Sequence, residues 1–207
     1  MPLAHALDRP ATIALIVVDL QAAFVDPADP LATPGAHAML PAIQSLADLL
    51  RGLGGTVAWT RHGWSDDPAV ATPAWFRSAI GAEAEARMRR LVPGSAGHAI
   101  HPALRIDAAD IVIDKYRPSA FLPDPAGLHA RLRGRGIDTV IVCGTVTSFC
   151  CQSTARDALM RDYRVCFPPD INAGQSEAAQ RATLDDLRSM GLFDLRPSPA
   201  LIAGLRA

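Results

Sequence analysis

Thr139-Val140-Ile141-Val142-Cys143-Gly144-Thr145-Val146-Thr147-Ser148-Phe149-Cys150-Cys151-Gln152-Ser153-Thr154-Ala155-Arg156-Asp157-Ala158 is the stretch of the 207-residue chain that decides the fold. Its first part is β-branched, nearly all apolar and without alternation, as a strand covered on both faces would be. Gly144 breaks the strand, and Thr147 or Ser148 can cap a helix running from Phe149 to about Met160. A strand turning sharply into a helix leaves a row of backbone N–H donors at the helix start. Those donors and the positive end of the helix dipole can hold an anion or lower a thiol's pKa. Cys150 falls in that first turn, which makes it the candidate nucleophile, with an oxyanion hole built from its own helix.

Composition sets limits around this reading. With 49% hydrophobic and 20% charged residues, the expectation is a single globular domain spanning residues 1–207 with a sizeable core. A formal net charge of -1 gives no electrostatic case for nucleic acid or an anionic membrane as partner. No run approaches the ~20 apolar residues that span a bilayer. Met1 to Pro10 has neither the basic segment nor the apolar core of a signal peptide, so a cytoplasmic location is expected. The four cysteines (Cys143, Cys150, Cys151 and Cys166) show no disulfide-scaffold spacing. Cys143 and Cys166 lie within strands and read as core.

Working outward, strands and helices alternate. Strands are expected at Thr12–Val18, Thr56–Thr60, Asp110–Asp114, around Thr139–Cys143, at Tyr163–Phe167 and at Leu192–Leu195. Met39, Ile43, Leu46, Leu50 and Leu53 mark a helix whose first turn takes Pro41 and which Gly52 and Gly54-Gly55 end. Arg61 to Gly81 reads as loop, Ala82 to Leu91 as a short helix, and Asp124-Pro125 as the start of a helix ending near Gly134–Gly136. Ser176 to Met190 is the last long helix. This order predicts an α/β fold: a single-domain, Rossmann-like, three-layer arrangement with a mostly parallel six-stranded sheet and helices on both faces. Ligands of such sheets gather at the carboxyl ends of the strands. Asp19, Lys115 and Cys150 each follow or end a strand, so three reactive residue types distant in sequence reach the same edge.

Val18-Asp19-Leu20-Gln21 followed by Phe24, Asp114-Lys115-Tyr116, and Gly144-x-x-Thr147-Ser148-x-Cys150 with Thr154-Ala155-Arg156-Asp157-Ala158 together resemble the isochorismatase-like cysteine hydrolases. That family includes nicotinamidases and the carbamoylsarcosine and ureidoacrylate amidohydrolases, and the resemblance covers nearly the whole chain. It implies a catalytic triad of Asp19, Lys115 and Cys150. It also implies a cis peptide at Thr145-Val146 and an oxyanion hole made by the backbone N–H groups of Val146 and Cys150. In these roles Cys150 attacks an amide or ureido carbonyl to form a thioester and release ammonia or an amine. Asp19 carries the protons, and Lys115 keeps Asp19 ionised. Cys151 is the rival nucleophile, and the family's spacing selects Cys150. Family members form dimers or tetramers, which makes a homo-oligomer the expectation.

The departures narrow the chemistry. Nicotinamidases carry an Asp and two His residues after the second strand as a metal site. Here Thr60-Arg61-His62-Gly63-Trp64 offers one His and no carboxylate before Asp66. Metal ligation takes three or four groups, so neither a metal nor any other cofactor is expected. His62 and Trp64 are similar to a substrate loop of the ureido-cleaving members. With Phe24, Tyr116, Phe121 and Phe149 they form the expected lining of a pocket for a small, partly apolar amide. Arg61, Arg77 and Arg117 are the candidates for a substrate carboxylate. Two other readings share the fold: a vinyl-ether hydrolase of the isochorismatase type, which does not use the cysteine, and a non-catalytic, redox-responsive scaffold.

Overall fold

The computed structural model describes residues 3–122 and 127–207. Its frame is β1 (Ile13–Val18), six consecutive apolar residues that are all buried. Ile13, Leu15 and Val17 point into one apolar layer, while Ala14, Ile16 and Val18 point into the other. This is why the strand shows no polar alternation: each face of the sheet meets helices. α2 (Ala36–Gly52) and α7 (Ser198–Arg206) close the first face through Ile43, Leu46, Leu50, Leu201 and Leu205. On the second lie α4 (Leu128–Gly134), α5 (Gln152–Leu159) and α6 (Glu177–Met190), through Leu132, Ala155 and Leu187.

β1 pairs in parallel with β2 (Thr56–His62) on one side and β4 (Thr139–Thr145) on the other. β3 (Ile111–Lys115) extends the sheet beyond β2. Beyond β4 come β5 (Arg164–Cys166) and β7 (Phe193–Asp194). The order is therefore β3-β2-β1-β4-β5-β7. The chain winds outward in opposite directions from β1 and β4, and the crevice past their carboxyl ends is a topological switch point.

The sheet has seven strands rather than six. The additional β6 (Asn172–Ala173) pairs with Gly144 and Thr145 at the end of β4. Two residues carry no periodicity, so nothing in the sequence marked it. α2 starts at Ala36, which puts Pro41 within the helix instead of its first turn. α3 (Ala74–Met88) begins eight residues before the expected Ala82, includes Trp75 and Phe76, and is interrupted at Gly81 (φ 77°). None of its side chains is buried, so it lacks the apolar periodicity that marks a core helix. α7 was also unmarked, although Leu201 and Leu205 share its buried face. The expected helix start at Asp124-Pro125 lies outside the described residues. Among the described residues no helix is long and apolar enough to cross a membrane.

Candidate active site

Three strand ends build the site. The residue after β1, Asp19, adopts a left-handed backbone (φ 52°), which turns its side chain back over the sheet edge. Its amide donates to the carbonyl and hydroxyl oxygens of Thr60, each at 3.2 Å. The Thr60 hydroxyl in turn donates to Asp19 Oδ1 at 2.6 Å, and Thr145 Oγ1 donates to the Asp19 carbonyl at 3.1 Å. Asp19 is thus held by both flanking strands, its carboxylate by β2 and its backbone by β2 and β4.

Lys115, the last residue of β3, places its Nζ 2.7 Å from Asp19 Oδ2, and both side chains are 1% exposed. The ammonium also donates to the Arg117 carbonyl at 3.1 Å and lies 3.5 Å from His62 Nδ1. Burial lowers the Lys115 pKa, but Asp19 and Cys150 more than reverse this, and the net movement is upward. Lys115 is therefore a fixed cation. His62 moves the other way, down to about 3, through burial and then the adjacent Lys115 charge. It is a neutral imidazole at ordinary pH.

Gly144 brings β4 into place. Its φ of 126° suits glycine, and a methyl group there would overlap the Val18 carbonyl oxygen. The Thr145-Val146 peptide that follows is cis. The chain then makes a π-helical turn over Thr147–Cys151, with Cys151 N–H on the Val146 carbonyl at 3.2 Å, before α5 begins. Such single turns are frequent at functional sites. Neither Thr147 nor Ser148 caps it by a side-chain hydrogen bond. Cys150 in this turn is 7% exposed and Cys151 is fully buried.

Cys150 Sγ, an Asp19 carboxylate oxygen and a His62 ring nitrogen lie within 4.8 Å of one another. Among the described residues this is the one cluster of three such groups spaced to hold a metal, and the Lys115 ammonium is the cation seated against it. The thiol pKa moves upward rather than down. Burial and Asp19 push Cys150 up to about 12 against the opposing pull of Lys115. The resting thiol is protonated because desolvation of a thiolate outweighs one ammonium whose charge Asp19 already balances.

Asp19, Cys150, Thr145 and Val146 open onto a cavity of about 340 Å³. Of the expected lining, Phe24, His62 and Phe149 border it. Trp64 and Tyr116 border a neighbouring cavity of about 290 Å³ that shares His62, Phe76, Met88 and Phe149 with the first. Phe121 does not belong to the lining. It is a fully buried core residue stacked on Tyr163 at 6.0 Å between ring centroids. Its apolar character serves the layer beneath α4 and α5.

The three expected arginines are engaged by carboxylates or backbone carbonyls, and of them Arg117 borders the smaller cavity. Arg61 pairs with Asp114 at 2.6 Å, and Arg77 with Asp66 at 2.7 Å and Glu85 at 3.2 Å. Arg117 donates to the carbonyls of Tyr116, Val70 and Ala71. The arginine bordering the larger cavity is Arg87 of α3; it lies within the helix expected from Ala82 to Leu91, but nothing in its spacing marks it out from the neighbouring arginines. Also missed were Thr60, the side-chain role of Thr145, which was expected only in the cis peptide, and the clamping role of Gln21. Gln21 Nε2 donates to the His62 and His98 carbonyls, and its Oε1 accepts from His62 N–H at 2.6 Å. It was visible as part of the Asp19-Leu20-Gln21 motif, but its clamping role depends on contacts 41 and 77 positions away.

Comparison with known proteins agrees with this architecture. The model of the Isochorismatase domain matches residues 13–193. The ureidoacrylate amidohydrolase RutB of Methylobacterium radiotolerans is 36% identical over 200 residues, 89% of this chain and 76% of that protein. A cysteine hydrolase from Pseudomonas syringae pv. phaseolicola superposes with a TM-score of 0.86 at 27% identity, covering 100% of this chain and 98% of the other. N-carbamoylsarcosine amidase from Thermoplasma acidophilum gives 0.72 at 26% identity, covering 90% and 96%.

Proposed function

Because the chain belongs to the Isochorismatase family, we propose that it is an amidohydrolase, cleaving a carbon–nitrogen bond other than a peptide bond in a small amide or ureido compound through a thioester on Cys150. The observation that carries this reading is the buried Asp19–Lys115 pair with the Cys150 thiol beside it.

A thiol held near pKa 12 is a poor nucleophile until its proton has somewhere to go. Asp19 is the acceptor. Its carboxylate is oriented by Thr60 and Lys115, and its reach to Sγ falls within the 4.8 Å cluster. As the substrate carbonyl enters, Sγ gives its proton to Asp19 and bonds to the carbonyl carbon. The oxygen takes up the negative charge facing the N–H groups of Val146 and Cys150. Loss of one such donor typically costs on the order of 3 kcal/mol of barrier. Asp19 then hands the proton to the departing nitrogen, which leaves as ammonia or an amine. Water attacks the thioester with Asp19 as base, releasing the acid and restoring the thiol.

The test is ammonia release from a panel of small amides and ureido acids by the native chain, Cys150→Ala and Cys151→Ala. Turnover is expected to vanish in Cys150→Ala and to persist in Cys151→Ala, whose sulfur is sealed in the core. Turnover retained by Cys150→Ala would remove the thioester from the mechanism.

A further inference from the structure

The cavity beside the nucleophile is larger than a ureido group needs, and the second cavity adjoining it has a different character. Trp64, Thr72, Trp75, Tyr116, Arg117 and Pro118 border that second space. It adjoins the nucleophile's cavity, sharing His62, Phe76, Met88 and Phe149 as lining. At about 290 Å³ it is roomy for a phenyl ring, since an apolar cavity of about 150 Å³ already accepts benzene.

Two cations brace the walls of this chamber, Arg77 from behind Trp64 and Arg117 from within the lining. The Arg77 guanidinium lies over the Trp64 ring at 4.8 Å from its centroid while pairing with Asp66 and Glu85. Arg117 is tied to the carbonyls of Val70 and Ala71, fastening the 70–71 segment to the end of β3. Both cations are therefore spent on holding the walls. Trp75, at the rim, is 71% exposed, with its ring edge-on to Phe76 at 5.7 Å between centroids. The Trp64 indole N–H is buried and has no hydrogen-bond partner among the described residues.

Resting on the amidohydrolase reading, we propose that this chamber is a substrate subsite for an apolar arm. The substrate is an amide or ureide whose scissile carbonyl sits at Cys150 and whose aromatic or branched aliphatic substituent crosses between His62 and Phe149. The preferred substrate is thus bulkier and more apolar than a simple ureido acid.

The experiment pairs turnover with binding. Ammonia release is compared for primary amides that differ only in carrying a methyl or a phenyl group at the end of a short alkyl chain. Calorimetry on the Cys150→Ala protein measures their affinities without turnover. The phenyl amide is expected to exceed the methyl amide by on the order of 10- to 100-fold in kcat/KM and in affinity. Thr72→Trp, which fills the chamber, and Trp75→Ala, which removes its exposed rim without touching the core, should each bring those ratios toward one. Amides hydrolysed with no preference between the two arms, and bound equally, would overturn the subsite while leaving the amidohydrolase intact. Phenyl-selective binding erased by Thr72→Trp, in a protein that hydrolyses none of the amides, would keep the subsite and overturn the amidohydrolase reading.

Discussion

Asp19 is held in a backbone conformation that few residues other than glycine adopt, and its neighbours account for the cost. Two hydrogen bonds reach Thr60 from its amide, one arrives from the Thr60 hydroxyl, and one from Thr145 secures its carbonyl. Removing the Thr60 hydroxyl isolates its contribution. Thr60→Val keeps the shape of a buried residue on β2 but deletes a bond to a charged group, typically worth about 1.5–3 kcal/mol. It is expected to lower kcat/KM on the order of 10-fold and to shift the urea midpoint downward. An unchanged kcat/KM would show that Lys115 alone fixes the carboxylate. At this scale the sequence was informative where residue type is chemically unusual. Asp19, Lys115 and Cys150 were singled out from it, and the structure brings them together. Thr60 was not singled out, because a threonine ending a strand is ordinary until the carboxylate it touches is known.

β4 and the turn after it depend on how closely two backbones approach. At Gly144 the chain passes so near Val18 that a methyl group has no room, and the positive φ adds its own penalty for any other residue. Gly144→Ala is expected to cost about 2–5 kcal/mol, read as a lower urea midpoint. A loss below 1 kcal/mol would mean that the strands can part there. Elements with a buried face were legible from their sequence, as β1, β4 and the apolar stripe of α2 illustrate. α3 was only half legible because it buries nothing, and periodicity records burial rather than helicity. The unread half matters for the site, since Phe76 borders both cavities and Ile80 the larger one from it. Phe121 shows the reverse failure: an aromatic next to a strand end looked like pocket lining and proved to be core.

At the scale of the whole molecule, ionisation couples the site to stability. His5, His62, His98 and His101 all have folded pKa values below the usual 6.5, burial being the leading cause in each. The unfolded chain therefore binds more protons than the folded one below that value, and stability falls as pH drops through it. For His62 the window extends down to about 3. Melting temperature is expected to decline from about pH 7 to pH 4.5, above the range where carboxylates dominate, and His62→Gln should make that decline shallower. An identical slope in the variant would show that His62 takes up its proton without resistance in the folded state. The Asp19–Lys115 pair has the opposite relation to its surroundings. When the Cys150 proton passes to Asp19, the negative charge moves from oxygen to sulfur beside the same ammonium, and the number of charges in the dry site stays constant. Mobile ions have no newly created charge to screen there. Turnover of a neutral amide is expected to be flat from about 0.01 to 1 M salt. The chemistry is electrically silent to the solution around it, and a steep salt dependence would mean that charge is made where solvent can reach it.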